Sequence, residues 1–256
     1  MASGAVREPS RGGSRTAPTK DINLMFDLYG YGFSILEGAW LTLQVGLLSL
    51  ALSVALGMLG ALAKLSRSRM ARLAASFYTT LIRGIPDLVL MLLLFYGGQV
   101  LVNAMAQAVG YEGYIDVDPF VAGVLTIGFI FGAYMTETFR GAILAVPSGQ
   151  LEAGYAYGMS RGLAFRRILL PQMIRHALPG FGNNWLVLLK ATALVSIIGL
   201  DDMVRKAYLA AGATHQPFTF YLAVALVFLA FTTLSVILLR WAERRYSLGF
   251  EQEIKP

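Results

Sequence analysis

The sequence predicts an all-α integral membrane protein with five transmembrane helices. Three observations support this fold class: a low content of charge, five long apolar runs, and connecting loops whose charge alternates in sign. Of the 256 residues, 56% are hydrophobic and only 14% are charged, whereas soluble domains carry about 25% charged residues. The chain therefore has too little charge to cover a water-exposed surface of its size.

Each apolar run is long enough to cross a bilayer. A helix needs about 20 mainly apolar residues to span the ~30 Å hydrocarbon layer, and a helix satisfies its own backbone amides where no water is available. The two-residue alternation of a membrane β-barrel is missing from these runs. The predicted spans cover residues 38–63, 84–108, 119–140, 177–200 and 218–239.

The loop charges predict the orientation of the chain. Cytoplasmic loops carry an excess of Lys and Arg. The loop between spans one and two is basic and lacks acids, the next contains Glu112, Asp116 and Asp118 without a base, and the third is again basic. Further basic residues follow the fifth span. We therefore expect a periplasmic amino terminus and a cytoplasmic carboxyl terminus.

Residues 31–250 are predicted to form one membrane domain between a disordered tail, residues 1–30, and a short carboxyl-terminal tail, residues 251–256. The first 20 residues are rich in Gly, Ser, Pro and Arg and cannot bury enough surface to offset their ordering entropy. They contain no apolar core of the kind found in secretory signals. An arm that binds anionic lipid is the alternative interpretation.

Composition excludes several function classes. The net charge of +6 would favour nucleic acid only if the basic residues shared one solvated face, and here they lie in short loops, so no nucleic-acid partner is expected. The absence of cysteine excludes thiolate sites and cysteine nucleophiles. His176 and His215 have no further ligand at metal-binding spacing. Neither a metal site nor the convergent residues of an enzyme active site are predicted.

The loop of residues 147–173 is the most informative segment. A short helix over Gln150–Tyr157, a turn at Gly158 and a second helical piece over Arg161–Leu170 are predicted, because glycine tolerates positive φ and Ser160 can cap a helix. Pro171 is expected to end the second piece. That piece mixes apolar and basic side chains. The residues alone leave two interpretations: a knob that docks into a partner groove, or an amphipathic helix on the lipid surface.

This loop resembles the EAA motif of permease subunits of ATP-binding-cassette (ABC) importers. The motif reads E-A-A, three residues, G, nine residues and I-x-L-P, and every spacing fits. Gly154, which replaces the second alanine, is the one departure, and it could loosen the helix by up to ~1 kcal/mol. The resemblance implies that the loop contacts an ATPase through Glu152, Ala153, Gly154, Gly158, Arg161, Phe165, Ile168, Leu170 and Pro171.

The resemblance extends from about residue 33 to residue 249. Residues 79–97, 128–150, 177–202 and 243–249 are similar to the polar-amino-acid branch of these permeases, in particular to HisQ-type subunits of histidine and lysine/arginine/ornithine importers. This implies a type I ABC importer permease fold in a bacterial inner membrane. It also implies half of a translocation pathway for polar, basic amino acids, namely histidine, lysine, arginine and ornithine.

The resemblance also implies partners. A second homologous permease subunit, a cytoplasmic ATPase dimer and a periplasmic amino-acid-binding protein are expected, in contact with membrane lipid. The chain has no G-x-x-x-x-G-K-[ST] phosphate loop, so ATP and Mg²⁺ are expected on the ATPase and no cofactor on this chain. The alternative, an ion-coupled secondary amino-acid transporter, would have more helices and several carboxylates at mid-depth. A scaffolding protein would leave the motif spacing unexplained.

Ionisable residues within the spans are functional candidates because they are costly in lipid. Lys190 could line the translocation pathway with Asn183, Asn184 and Thr192, or it could snorkel or pair with Glu137.

Other charges lie near the span ends. Glu137 and Arg140 are three residues apart on one helical face, as an intrahelical pair or a gate contact. Asp87 is predicted to stabilise a helix N-terminus. Asp201 and Asp202 could attract a cationic amino acid or dock the binding protein, or they could be ordinary loop charges beside Arg205 and Lys206.

Overall fold

The structure is a computed structural model that describes residues 28–247. The predictions for residues 1–27 and 248–256, which include nearly all of the expected disordered tail, lie outside the described residues. Leu28–Gly30, at the end of that expected tail, forms a 3₁₀ turn that leads into the first long helix.

Nine α-helices make up most of the described chain. They are α1 (Gly32–Leu65), α2 (Arg69–Gly84), α3 (Asp87–Ala108), α4 (Pro119–Leu144), α5 (Ser148–Ala156), α6 (Arg161–Ala164), α7 (Leu170–Ala191), α8 (Met203–Thr214) and α9 (Pro217–Ser247). A π-helical turn, Phe165–Leu169, joins α6 to α7, and a 3₁₀ helix, Thr192–Ile198, follows α7.

Five helical segments in the described chain are long and apolar enough to cross a membrane, which agrees with the predicted number. They are Gly32–Leu65, Asp87–Ala108, Pro119–Leu144, Arg161–Ile198 and Pro217–Tyr246. Several extend beyond the predicted spans because their ends carry polar residues that a search for uninterrupted apolar runs excludes.

Helix α2 occupies most of the segment that the sequence analysis treated as a basic loop. Its N-cap is Ser68, whose side chain accepts a hydrogen bond from the Ala71 amide, and its buried face contains Ala75, Thr79 and Ile82. Because α2 is amphipathic, it lacks the continuous apolar run on which the span prediction depended. Pro86 then separates it from α3, so the second span begins at Asp87 and not at residue 84.

The prediction that Pro171 ends a helix is wrong. The helical path continues from α6 through the π-helical turn into α7, where Pro171 lies in the first turn. The Leu170 amide donates to the Phe165 carbonyl, five residues back. This wider turn accommodates a proline, which has no amide hydrogen and would clash with the carbonyl four residues before it in a regular helix.

Helix α4 lies at the centre of the bundle. Phe131, Ala133 and Met135 on α4 are almost completely buried, and α1 crosses it at close range. A Cβ atom added to Gly57 or Gly60 of α1 would collide with Met135 or Thr136, respectively. These glycines therefore permit the close approach of α1 and α4, around which α7 and the remaining helices are arranged.

Candidate coupling loop and translocation face

Loop 147–173 folds into two short helical pieces that pack on each other. Gly158, between α5 and α6, has φ +79°, as expected for a turn that favours glycine. The Ser160 hydroxyl caps α6 by accepting a hydrogen bond from the Leu163 amide at 3.4 Å, as its sequence position predicted.

Gly154 has a packing role that the motif comparison did not anticipate. It is buried, and a Cβ atom at this position would lie 2.5 Å from Cδ1 of Ile168. The glycine therefore lets α5 lie directly against the π-helical turn. A hydrogen bond from the Gln172 side chain to the Gln150 side chain further ties α5 to α7. Glycine in place of the motif's second alanine therefore permits a closer contact between α5 and Ile168.

The motif residues of the loop divide into an exposed group and a packing group. Glu152, Ala153, Gly158, Arg161 and Pro171 are exposed, whereas Gly154 is buried and Phe165, Ile168 and Leu170 are half-buried. Sequence reasoning missed two exposed aromatic residues, Tyr155 and Tyr157, the latter 89% exposed. Exposed aromatic side chains of this kind are enriched at protein–protein interfaces.

Glu137 has two cationic partners near the end of α4. The Arg140 Nε atom donates to it at 3.2 Å, as the three-residue spacing predicted, and Lys64 of α1 forms an ion pair with its other oxygen. The predicted alternative of a pair between Glu137 and Lys190 is wrong. Asn184 of α7 lies opposite Thr138, to which it donates a hydrogen bond at 3.0 Å, and Lys190 is six residues, about 9 Å, farther along the helix.

Helix α7 has one exposed face with polar residues. The exposed residues lie three or four positions apart, so they share one side of the helix. They are His176, Pro179, Asn183, Val187 and Lys190. We call this set the exposed α7 face. The other two candidates for the pathway point elsewhere: Asn184 contacts α4, and the Thr192 hydroxyl is buried and donates to the Leu189 carbonyl at 2.6 Å.

Asp202 and Asp201 form local contacts at the N-terminus of α8. Asp202 is the N-cap and accepts a hydrogen bond from the Arg205 amide at 2.9 Å, while its Oδ2 atom is buried without a hydrogen-bond partner. Burial raises the pKa of the Asp202 carboxyl to about 6, against the lowering effect of its backbone hydrogen bonds. Asp201 pairs with the Arg205 side chain at 3.2 Å. Asp201 therefore fits the interpretation of an ordinary loop charge, whereas Asp202 is a buried helix cap.

Two further charges also have structural partners. Lys206 pairs with Glu37 of α1 at 3.0 Å and so links α8 to α1. Asp87 is the first residue of α3, as predicted for a carboxylate at a helix N-terminus, and accepts a hydrogen bond from the Tyr134 hydroxyl at 3.4 Å. The Arg83 guanidinium lies 5.6 Å from the centre of the Tyr134 ring.

In residues 28–247 no group of three or more His, Cys, Asp or Glu side chains could hold a metal ion.

Comparison with known proteins assigns the family. Residues 53–248 match the family described as "Binding-protein-dependent transport system inner membrane component". The chain is also 53% identical over 225 residues to the histidine/lysine/arginine/ornithine transport system permease protein HisQ of Escherichia coli (strain K12), over 88% of this chain and 98% of that protein. This chain belongs to that permease family.

Other relatives and a solved structure agree with the family assignment. The octopine transport system permease protein OccQ of Rhizobium radiobacter is 42% identical over 225 residues, 88% of this chain and 95% of that protein. A chain in the crystal structure of an amino acid ABC transporter with histidines superposes with a TM-score of 0.73 at 32% identity, over 86% of this chain and 98% of that chain.

Membership in the permease family confirms the predicted resemblance and the predicted fold. The chain is a multi-pass permease of a bacterial amino-acid ABC transporter, and a permease of this kind works with a partner permease, an ATPase and a substrate-binding protein. The ion-coupled secondary transporter considered as the alternative finds no support.

Proposed function

We propose that this permease forms one half of a pathway for basic amino acids across a bacterial inner membrane, and that the exposed α7 face lines that pathway. The relatives supply the substrate class, because the permease HisQ is named for histidine, lysine, arginine and ornithine. A second, homologous permease subunit would supply the other half, and a periplasmic amino-acid-binding protein would deliver the substrate.

The polar character of the exposed α7 face is the observation that carries this proposal. Lys190 and Asn183 are exposed on a membrane-spanning helix, and an unpaired amide or ammonium group in contact with hydrocarbon costs several kcal/mol. The outward face of α9 differs, since Leu222, Leu226 and Leu229 are exposed there. The α9 surface suits lipid, whereas the α7 surface suits water, substrate or a partner helix.

Lys190 suits the part of the substrate that all amino acids share. A cation repels the side chain of lysine or arginine, but every amino acid also carries an α-carboxylate. The Lys190 ammonium, which has no carboxylate partner in the described part of the chain, would pair with that carboxylate. Asn183, two helical turns away on the same face, could hydrogen-bond a polar side chain of either charge.

Loop 147–173 is proposed to couple this pathway to ATP hydrolysis. Its exposed tyrosine, apolar and basic side chains lie on a compact unit held by Gly154 and the Gln150–Gln172 hydrogen bond, which suits docking into a groove of the ATPase dimer. ATP and Mg²⁺ would bind to that dimer. The basic loops support an orientation with loop 147–173 and the carboxyl terminus in the cytoplasm and the amino terminus in the periplasm.

Cysteine labelling tests the pathway assignment, because the chain contains no cysteine of its own. The variants Asn183→Cys and Val187→Cys, assembled with the partner subunits in vesicles that still take up amino acid, should react with a small water-soluble thiol reagent. Bound arginine should slow the reaction. The matched control is Leu229→Cys, on the exposed apolar face of α9, which should react much more slowly.

Equal labelling of all three positions, or labelling of residues 183 and 187 that arginine leaves unchanged, would contradict the proposal. Uptake of radiolabelled histidine, lysine and arginine by the same vesicles tests the substrate class. Uptake restricted to uncharged amino acids would reject the basic-substrate assignment.

A further inference from the structure

A basic cavity lies between α1, α2 and α4 and contains no residue of loop 147–173 or of the exposed α7 face in its lining. Its volume is about 520 Å³, and it is lined by Lys64, Arg69, Arg72, Leu73, Ser76 and Arg140. We call it the basic pocket. Four of its six lining residues carry a positive charge, and they come from three different helices or their connections.

The positive charge of the basic pocket is only partly neutralised. Glu137 pairs with Lys64 and with Arg140, so one carboxylate serves two cations. Arg72 donates hydrogen bonds to the Ser66 and Arg67 carbonyls at 2.9 and 3.0 Å. These bonds position the guanidinium, but neutral carbonyls do not neutralise its positive charge. Within residues 28–247 no carboxylate pairs with Arg69 or Arg72.

The position of these arginines on α2 strengthens the argument for an anion. Both lie in the first turn of a 16-residue helix, where the macrodipole is positive and where cations are unfavourable. An anion in the basic pocket would interact with the two guanidinium groups and with the helix dipole together.

An apolar stripe runs along α2 beside the basic pocket. Met70, Leu73 and Phe77 are 77%, 67% and 69% exposed, and their spacing of three and four residues puts them on one side of the helix. Leu73 belongs to both the stripe and the pocket lining. A ligand with an anionic head and a hydrocarbon tail would therefore contact both surfaces at once.

We propose that the basic pocket binds the phosphodiester group of an anionic phospholipid whose acyl chain lies along Met70, Leu73 and Phe77. The arginines and Lys64 hold the phosphate, as basic pockets between membrane helices do on the cytoplasmic side. Free phosphate shares the anionic chemistry but leaves the apolar stripe without a role. The lipid proposal assumes the proposed orientation, which puts the basic pocket at the cytoplasmic surface. It does not depend on which amino acid the transporter carries.

Native mass spectrometry of the assembled transporter in detergent tests this site. Phosphatidylglycerol should remain bound in preference to phosphatidylcholine. The double variant Arg69→Gln/Arg72→Gln should weaken phosphatidylglycerol binding roughly 30-fold, since each basic residue near the membrane surface contributes about 1 kcal/mol. The matched control Arg244→Gln/Arg245→Gln removes two exposed charges from the end of α9 and should leave this binding unchanged.

A single variant keeps the test valid if the double variant fails to fold. Arg69→Gln removes a side chain without a hydrogen-bond partner in the described chain, so the loop contacts of Arg72 persist, and binding should weaken about fivefold. Equal retention of the two lipids, or unchanged binding in Arg69→Gln, would overturn the site. Displacement of the lipid by inorganic phosphate, with phosphate binding lost in the same variants, would overturn the lipid assignment and show a free-anion site. Amino-acid uptake is not the readout, so this test and that of the pathway can fail separately.

Discussion

Among single residues, Asp202 combines two opposing effects: it caps helix α8, and its carboxyl group is buried. Its Oδ1 atom caps α8, whereas Oδ2 is buried without a hydrogen-bond partner. The capping hydrogen bond favours the ionised form of the side chain, whereas burial disfavours it. Burial has the larger effect and raises the carboxyl pKa to about 6. The ionised side chain therefore destabilises the folded state at neutral pH.

We expect this residue to make the transporter more stable in mild acid. Because the folded pKa is higher than the unfolded value, the folded state binds more protons between about pH 4 and 6, and stability falls as pH rises through that range. Lowering the pH from about 7.5 to about 5 should gain on the order of 1 kcal/mol from this group. Thermal unfolding of the purified permease at both pH values measures the effect.

Asp202→Asn is the matched variant for the pH measurement. Asparagine also caps helices well, so α8 should persist, but the side chain no longer titrates. The variant should lack the part of the acid stabilisation that Asp202 contributes. An identical pH response in both proteins would assign the effect to other groups.

At the scale of elements, loop 147–173 depends on one backbone position. Gly158 connects α5 to α6 with φ +79°, and no neighbouring atom lies within 4 Å of a Cβ placed there. Any penalty for a side chain at residue 158 is therefore backbone strain and not steric overlap with the rest of the loop.

This geometry separates two substitutions that differ little in size. Gly158→Val puts a β-branched residue in the left-handed region and should distort the turn at a cost of about 1–3 kcal/mol. Gly158→Asn should retain the turn, because asparagine tolerates that region. Co-purification with the ATPase should fall about tenfold for the valine variant and stay near the wild-type level for asparagine.

The partner permease provides the internal control for this comparison. It should remain bound to both variants, because the change lies outside the five spans. If the ATPase is retained equally by the valine and asparagine variants, or never associates with the wild type, loop 147–173 does not dock it.

For the whole molecule, the distribution of charge predicts the orientation of the bundle in the membrane. The connection between α3 and α4 carries Glu112, Asp116 and Asp118, and the segments on the opposite side carry most of the arginines. The positive side is expected in the cytoplasm, which puts loop 147–173 on the same side as ATP.

Single cysteines on the two sides test the orientation. In intact spheroplasts, a membrane-impermeant maleimide should label Glu112→Cys, between α3 and α4, because we expect that connection to face the periplasm. Gly149→Cys, an exposed position in α5, should be labelled only after lysis. The reverse pattern would invert the topology and place the loop away from the ATPase.

The number of spans, the motif and its turn were all predictable from the amino-acid sequence. Span length follows from the thickness of the hydrocarbon layer, and Gly158 and Ser160 act through local backbone conformation, so each signal lies within a few neighbouring residues. The family resemblance was likewise carried by the motif spacing and by four further segments.

The contacts between distant residues across the bundle became visible only in the folded structure. The ion pair of Glu137 with Lys64 joins residues 73 positions apart. The contact of Gly154 with Ile168 depends on how α5 packs. Helix α2 was not predicted as a helix because its apolar residues occupy only one face. The exposed α7 face likewise emerges only when the other helices cover the rest of α7. These features depend on packing between distant segments, which local propensity and hydropathy do not encode.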